Sequence, residues 1–273
     1  MRELMEMYET KYKISKNRIM RTVYEKANVW SAGGNHQIGK DFIGEHEQKN
    51  YNQRQKTRKD TVRELIENNF DVGHSKFISL TFRNETETKM DEGYEYEELK
   101  YQNLSKCNPE FKKFIQRLKY RYTGLKYVAV IELQKLNERN VFHYHMICNL
   151  PYVEQKELLK IWGQGTVNIM DVFYMDGLVR YMTKDMNDSK SRTLKGEKGY
   201  LFSRGLQRDI IVRSWKPEEN ELYAKTKELL KGKEAILDHK STNKYAGTIE
   251  YHKYNLKSDL FHATKKAKKK RTY

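Results

Sequence analysis

The order of strand and helix patterns between residues 76 and 172 limits the fold of this 273-residue chain more than any other feature. Apolar and polar side chains alternate along a half-buried strand, whereas they recur with the helical period along an amphipathic helix. The patterns predict, in chain order, a strand at 76–82, a helix from 108, strands at 127–134 and 141–149, a helix at 153–162, a strand at 167–172 and a helix at 176–186. A hairpin at the centre of this alternation favours a ferredoxin-like split βαβ arrangement over a doubly wound parallel sheet. We therefore expect an α+β fold in which helices pack on a central antiparallel sheet.

The segments on either side of this region are more strongly charged. Apolar side chains recur at helical spacing over residues 57–70, so we predict a basic, largely helical N-terminal extension. The predicted parts of the chain are this extension at 1–70, a core at 71–215, a helix and strand that elaborate the core at 216–264, and a basic tail at 265–273.

The charge balance indicates a polyanionic partner. The chain has 53 Lys and Arg against 37 Asp and Glu, a formal charge of +16, with 20 Tyr and 10 Phe among the basic residues. Such a surface can bind phosphates by charge and bases by stacking, although it can also serve solubility alone.

Several other classes of protein are excluded by the composition. Cys107 and Cys148 are the only cysteines, and they form neither a disulfide framework nor a thiolate zinc motif. Apolar runs such as residues 128–131 are far shorter than the ~20 residues that a membrane span needs. The N-terminal residues also lack an apolar signal region. We expect an unsecreted protein with no membrane partner.

Two histidines and a glutamate form a candidate metal site in the predicted hairpin. His143 and His145 are two residues apart in a strand, so both project from the same face. If the loop at 135–140 closes symmetrically, Glu132 lies directly across from His143, although a slip of one residue would move Glu132 to the other face. Two imidazoles and a carboxylate can hold a divalent metal and leave positions open for phosphate oxygens. The alternative for the histidine pair is a structural role in a partly buried strand.

Tyr181 is the candidate nucleophile. Three Tyr-x-x-Lys motifs occur, but only Tyr181 with Lys184 lies on a predicted helix shortly after the hairpin. A phenol with a pKa near ~10 is a weak nucleophile at neutral pH unless a cation or a base assists it. Lys184 lies one turn along the same helix face and can provide that assistance. These residues together indicate metal-assisted phosphoryl transfer from nucleic acid to a tyrosine.

The chain resembles the HUH endonucleases, and in particular the single-tyrosine rolling-circle replication initiators of bacterial plasmids and phages. The resemblance rests on three motifs in the same order and on a later segment: Phe77-Ile-Ser-Leu-Thr-Phe82, His143-Tyr-His145, Tyr181-Met-Thr-Lys184 and Phe202-Ser-Arg-Gly-Leu206. It spans roughly residues 57–257.

This resemblance implies a specific reaction and its partners. Tyr181 would attack a phosphate of single-stranded or hairpin origin DNA, leaving a 5′-phosphotyrosyl link and a free 3′-hydroxyl, and the strand would later be rejoined. His143 and His145 would be ligands of Mg²⁺ or Mn²⁺, with Glu132 as the third ligand and Lys184 as a helper. A host helicase and polymerase would extend the 3′ end in the cytoplasm of a bacterial cell.

Further candidates for DNA binding lie in the motifs and the tail. They are Thr81, Arg180, Arg204, Lys268, Lys269 and Lys270. A basic tail is typical of an arm that binds phosphates without sequence specificity. Tyr174, seven residues before Tyr181, could share its helix face, and we predict a packing role for it rather than that of a second nucleophile.

Three alternatives remain at this point. A relaxase or a single-strand transposase would use the same chemistry for another purpose. A non-catalytic DNA-binding regulator would use the basic segments and keep the histidines for structure. A zinc hydrolase would use the two histidines and the glutamate but would leave Tyr181 and the charge unexplained.

Overall fold

The protein is described by a computed structural model that covers residues 9–25, 43–91, 94–134, 141–187, 199–243 and 247–256. The strands are β1 (Glu9–Ile14), β2 (Arg18–Tyr24), β3 (Lys76–Thr81), β4 (Thr86–Asp91), β5 (Tyr94–Leu99), β6 (Tyr127–Gln134), β7 (Val141–Cys148), β8 (Val167–Asp171), β9 (Tyr200–Phe202), β10 (Ile210–Arg213), β11 (Leu237–Asn243) and β12 (Gly247–Asn255). The helices are α1 (Ile43–Asn69), α2 (Leu104–Arg121), α3 (Gln155–Trp162), α4 (Met175–Thr183) and α5 (Asn220–Leu230). The chain divides into two compact units, one of residues 44–206 and one of residues 1–43 with 207–273.

The unit of residues 44–206 contains the predicted split βαβ arrangement. Its five-stranded sheet has the order β8-β3-β7-β6-β9, and every neighbouring pair is antiparallel. Along the chain its first four strands alternate with α2 and α3 as β3-α2-β6-β7-α3-β8, and β9 adds a fifth strand beside β6. The prediction of an α+β fold with a central antiparallel sheet is confirmed.

Each face of this sheet is covered by its own pair of helices. The strands alternate, so that Tyr144 and Met146 of β7 belong to one core while Ile147 belongs to the other. The first core packs against α2 and α3 through Phe111, Phe114, Leu118, Leu158 and Trp162. The second packs against α1 and α4 through Val62, Leu65, Ile66, Val179 and Met182. Trp162 is fully buried in the first core.

The N-terminus of α2 differs from the prediction. The sequence places a helix start at Asn108 and Pro109, whereas the side chain of Asn103 caps the helix by accepting a 2.9 Å hydrogen bond from the Ser105 amide. Asn108 instead accepts a 2.8 Å hydrogen bond from the Tyr144 hydroxyl. Pro109 lies inside the helix because burial of the preceding turn, including Leu104, outweighs the hydrogen bond that a proline cannot make.

The second unit is built around another five-stranded antiparallel sheet, of order β10-β1-β2-β12-β11. Helix α5 buries Leu222 and Leu230 in a core with Tyr12 and Ile14 of β1. The predicted helical conformation is wrong for residues 9–24, which form β1 and β2. Lys11 and Lys13 alternate with buried Tyr12 and Ile14, a strand period that pairing with β10 completes.

The compact units also differ from the predicted limits at 70 and 215. Helix α1, which contains the helix predicted at 57–70, packs on the sheet of the first unit. Strand β10, predicted as part of the core, pairs with β1 in the second unit. The predicted tail at 265–273 lies outside the described residues.

Two further expectations concern membranes and cysteines. No helix in the described ranges is long and apolar enough to span a bilayer. Cys107 and Cys148 are buried and unbonded to each other, and burial raises the pKa of each thiol to about 12. Both thiols are therefore protonated at neutral pH and are unsuited to bind a metal as thiolates.

The turn into β8 predicts a strong effect of Gly165→Ala. A Cβ at Gly165 would lie 2.2 Å from the backbone oxygen of Thr81, where the turn is bonded to the end of β3. We expect the backbone to move and the free energy of unfolding to fall by about 3 kcal/mol. The control is Gly73→Ala, where a Cβ has no atom within 4 Å and only the φ of +78° is unfavourable, at about 1 kcal/mol. Urea unfolding measures both variants, and equal losses would contradict this packing.

Candidate active site

The pairing of β6 with β7 brings the predicted metal ligands to one face of the sheet. Glu132 lies opposite His143, and Gln134 lies opposite Val141, in the register that symmetric closure of the hairpin predicts. His145 lies on the same face as His143, two residues along β7. This face is the one that α1 and α4 cover, since Ile147 of β7 and Val130 of β6 belong to the second core.

His145 is held from both neighbouring strands. Its Nδ1 lies 3.0 Å from the hydroxyl oxygen of Ser79 on β3, and its Nε2 lies 2.7 Å from Oε2 of Glu132 on β6. Its ring stacks on Phe77 with centroids 5.7 Å apart, and only 7% of the residue is exposed. These contacts fix both the position and the orientation of the imidazole.

Tyr181 lies in the last turn of α4, directly over this histidine. Val179 and Met182 on the same helix are buried in the second core, which leaves Tyr181 at the edge of the packed face with 41% of its surface exposed. The Tyr181 ring packs edge-on against His145 at 5.3 Å and against Phe77 at 5.8 Å between centroids. The phenol is therefore held by buried neighbours and remains accessible to solvent.

Lys184 links the tyrosine to the glutamate. It lies in a 3-10 turn, Lys184–Asn187, that continues α4. Its ammonium is 4.5 Å from the centroid of the Tyr181 ring and 4.0 Å from Oε1 of Glu132. A cation in this position stabilises negative charge on a phenolate or on an incoming phosphate.

The electrostatic environment keeps His143 neutral. Burial, and to a smaller extent the neighbouring His145, lower the pKa of His143 to about 4, although Glu132 acts in the opposite direction. The imidazole of His143 is therefore unprotonated at neutral pH, which is the form that binds a metal.

The predicted metal ligands share one face of the sheet, and two of their side chains are bonded to each other. Among the residues that the structure describes, no group of three or more His, Cys, Asp or Glu converges as a metal site. Instead Nε2 of His145 and the carboxylate of Glu132 share a hydrogen bond, which a metal ion would have to replace. Ser79 lies at Nδ1, so Nε2 would be the atom available to a metal, in the way that a second hydrogen bond orients metal-binding histidines.

The other predicted DNA-binding residues lie at different distances from this site. Thr81 faces His143 across the β3–β7 pair and bonds to Thr166 through its hydroxyl. Arg180 lies beside Tyr181 on α4 and donates a 3.3 Å hydrogen bond to the Tyr174 hydroxyl.

Arg204 belongs to the opposite end of the sheet. Ser203, the preceding residue, exchanges hydrogen bonds with Tyr127 at the start of β6. Glu132 is five residues further along β6, about 17 Å at the usual rise of a strand. Lys268, Lys269 and Lys270 lie outside the described residues.

Two supporting residues, Phe77 and Ser79, were missed as parts of the site. Both lie in the first motif, where alternation with Ile78 and Leu80 puts them on the face that carries the histidines. The alternation in the sequence indicates the face on which both side chains lie, but their contacts with His145 depend on the pairing of β3 with β7.

Tyr174 lies against the start of α4 but is not buried. Tyr174 is the N-cap residue of α4, and 63% of its surface is exposed. Helical spacing from Tyr181 does not bury it, because the helix begins only after this residue.

One comparison with protein families covers the part of the chain that contains this site. Residues 75–190 match a family model whose description is that of a replication-associated protein. The matched segment contains β3, the β6–β7 hairpin and α4, and therefore Glu132, His143, His145, Tyr181 and Lys184. This family match supports a replication initiator role. No curated protein and no solved structure matches the chain significantly.

The lowered pKa of His143 predicts how stability depends on pH. Because the folded state has a pKa of about 4 and the unfolded chain about 6.5, the unfolded state binds the proton first as the pH falls. In the presence of a chelator we expect the free energy of unfolding to fall between pH 6.5 and pH 4, with a contribution from His143 on the order of 2 kcal/mol.

Urea unfolding of the wild type and of His143→Asn at both ends of this pH range measures the effect. The variant should lose less stability on acidification than the wild type. Equal losses in the two proteins would show that His143 does not carry this pH dependence.

Proposed function

We propose that the chain is a replication initiator that nicks origin DNA through attack of Tyr181 on a phosphate, and later rejoins the strand. The observation that carries this proposal is the position of Tyr181, edge-on to His145 with the ammonium of Lys184 4.5 Å from its ring. The match of residues 75–190 to the replication-associated protein family supports the biological role.

The proposed step exchanges one phosphate ester for another. The Tyr181 oxygen forms a bond to phosphorus while the bond from phosphorus to the 3′-oxygen breaks. The phenol loses one proton and the departing 3′-oxygen gains one, so the products are a 5′-phosphotyrosyl strand and a 3′-hydroxyl. Because the number of ester bonds is unchanged, the reverse reaction can rejoin the strand.

The side chains around Tyr181 have separate roles in this step. Lys184 stabilises the charge on the attacking oxygen or on the phosphate. Phe77 and His145 hold the phenol ring in place from two directions, which reduces the entropy lost when the oxygen reaches phosphorus.

His143, His145 and Glu132 are the proposed ligands of a divalent ion, Mg²⁺ or Mn²⁺. When bound, such an ion supplies positive charge that orients a phosphate and withdraws electrons from it. His143 is already in the neutral form that binding requires. Ser79 and the opposing strand hold His145 and Glu132 on the same face.

The proposed substrate is single-stranded or hairpin origin DNA, and the 3′-hydroxyl would serve a host polymerase and helicase. Among the candidates for DNA binding, Thr81 and Arg180 lie near the site, whereas Arg204 would contact the strand farther away. Lys268, Lys269 and Lys270 would bind phosphates without sequence specificity.

Formation of a covalent adduct tests the proposal. The protein is incubated with labelled single-stranded DNA and Mn²⁺, and adducts that resist denaturant are separated by gel electrophoresis. We expect an adduct with the wild type and at least about a thousandfold less with Tyr181→Phe, because the substitution removes the attacking oxygen.

Tyr120→Phe is the matched control, because Tyr120 is 90% exposed on α2 and lies outside the site. This variant should form the adduct at the wild-type rate. An adduct that persists in Tyr181→Phe would contradict the assignment of the nucleophile. Tight binding of DNA by the wild type without any adduct would favour a non-catalytic DNA-binding regulator.

A further inference from the structure

A cavity opens beside Tyr181 on the side away from the β6–β7 hairpin. It lies between β3, β8 and α4 and has a volume of about 460 Å³. Its lining includes Phe77, Asn168, Met170, Phe173, Tyr174 and Tyr181. Phe77 and Tyr181 also contact His145, so the cavity is continuous with the candidate active site.

The lip of the cavity exposes large apolar side chains to solvent. Phe173 is 79% exposed, Tyr174 is 63% exposed and Met170 is 49% exposed. Apolar groups gathered around a concave surface are typical of a binding site, and two of these three present flat aromatic faces. The ligand that suits them is itself flat and aromatic.

The polar lining adds hydrogen-bonding groups. Asn168 carries an amide that can both donate and accept hydrogen bonds, the property by which asparagine recognises the edge of a base. Asp171 also lines the cavity, but its carboxylate forms an ion pair with Lys76. This ion pair partly neutralises a negative charge that would otherwise repel a nucleotide.

Gly177 allows the Tyr174 ring to lie against the start of α4. A Cβ at Gly177 would be 2.5 Å from Cδ1 of Tyr174 and 2.9 Å from Cε1, so the ring would have to move. Arg180 holds the other end of the ring through its hydrogen bond to the Tyr174 hydroxyl. Glycine inside a helix is unfavourable compared with alanine. Gly177 therefore lowers the stability of the helix but leaves room for the Tyr174 ring in this position.

We propose that this cavity binds one unstacked nucleobase of the DNA strand, next to the phosphate that Tyr181 attacks. This inference rests on the proposed function, since the strand must pass Tyr181 for the attack. The wall formed by Tyr181 joins the base site to the reacting phosphate, and Phe173 and Tyr174 offer faces on which a base can stack. Binding of the base would fix the register of the strand, and the cavity would therefore help to select the cleavage position.

Equilibrium binding of two single strands tests the proposal without requiring chemistry. One probe is an oligonucleotide of mixed sequence about 15 nucleotides long, and the other has the same number of phosphates but abasic tetrahydrofuran units. Fluorescence anisotropy in EDTA measures both dissociation constants. Charge contributes equally to both, so the ratio of the two constants reports contacts with bases.

We expect Phe173→Ala and Gly177→Ala each to weaken binding of the base-containing strand by about tenfold and to leave binding of the abasic strand unchanged. Phe173 is largely exposed, and alanine favours the helix at Gly177, so both variants should fold. Tyr152→Ala is the matched control, because Tyr152 is 81% exposed and precedes α3 outside the cavity. It should retain the wild-type ratio.

The proposal is overturned if both cavity variants keep the wild-type ratio, or if they weaken both strands equally. Absence of binding of either strand by the wild type would overturn it as well. The adduct assay distinguishes these results from failure of the proposed function. A wild type that forms an adduct through Tyr181 while the cavity variants keep the wild-type ratio would refute the base site alone.

Discussion

The imidazole of His145 is bonded from both sides by neighbouring strands, and the remainder of the site depends on this arrangement. Ser79 on β3 holds Nδ1, while Glu132 on β6 meets Nε2. β7 is the middle strand of five, so both contacts exist only while the registers of β3 and β6 against it are kept. A slip of one residue in either pair would turn Ser79 or Glu132 to the opposite face. The cores on both sides of the sheet oppose such a slip, because it would also bring apolar side chains to the wrong layer.

The position of Tyr181, the proposed nucleophile, depends on the same sheet through a helix. Val179 and Met182 anchor α4 in the second core, and burial of each such side chain is worth about 1.5–3 kcal/mol. The helical period then places Tyr181 at the border of the buried face, over His145 and Phe77. Lys184 follows one turn later and reaches both the phenol ring and Glu132. Apolar packing thus positions a polar site whose members come from β3, β6, β7 and the end of α4.

Local periodicity predicted the parts of this arrangement that depend on near neighbours. The hairpin register followed from the symmetric loop, and it placed Glu132 opposite His143. The strand pattern does not predict that Glu132 bonds to His145 rather than to His143, because this depends on the orientations of the side chains. Residues 9–14, predicted as helix, form a strand between β2 and β10, and β10 lies almost 200 residues away in the sequence, beyond the reach of a local pattern. The sequence did not predict the cavity beside Tyr181, because its walls come from β3, β8 and α4, which meet only in the folded chain.

In the proposed reaction the sheet presents Tyr181, among 20 tyrosines, as the nucleophile. Identification of the residue that becomes linked to DNA is the sharpest test. After reaction with single-stranded DNA and Mn²⁺, the adduct is digested with nuclease and protease, and the peptide that carries the nucleotide is sequenced by mass spectrometry. We expect the nucleotide on Tyr181 alone. A nucleotide on Tyr174, or on a tyrosine of the second unit such as Tyr254, would contradict it.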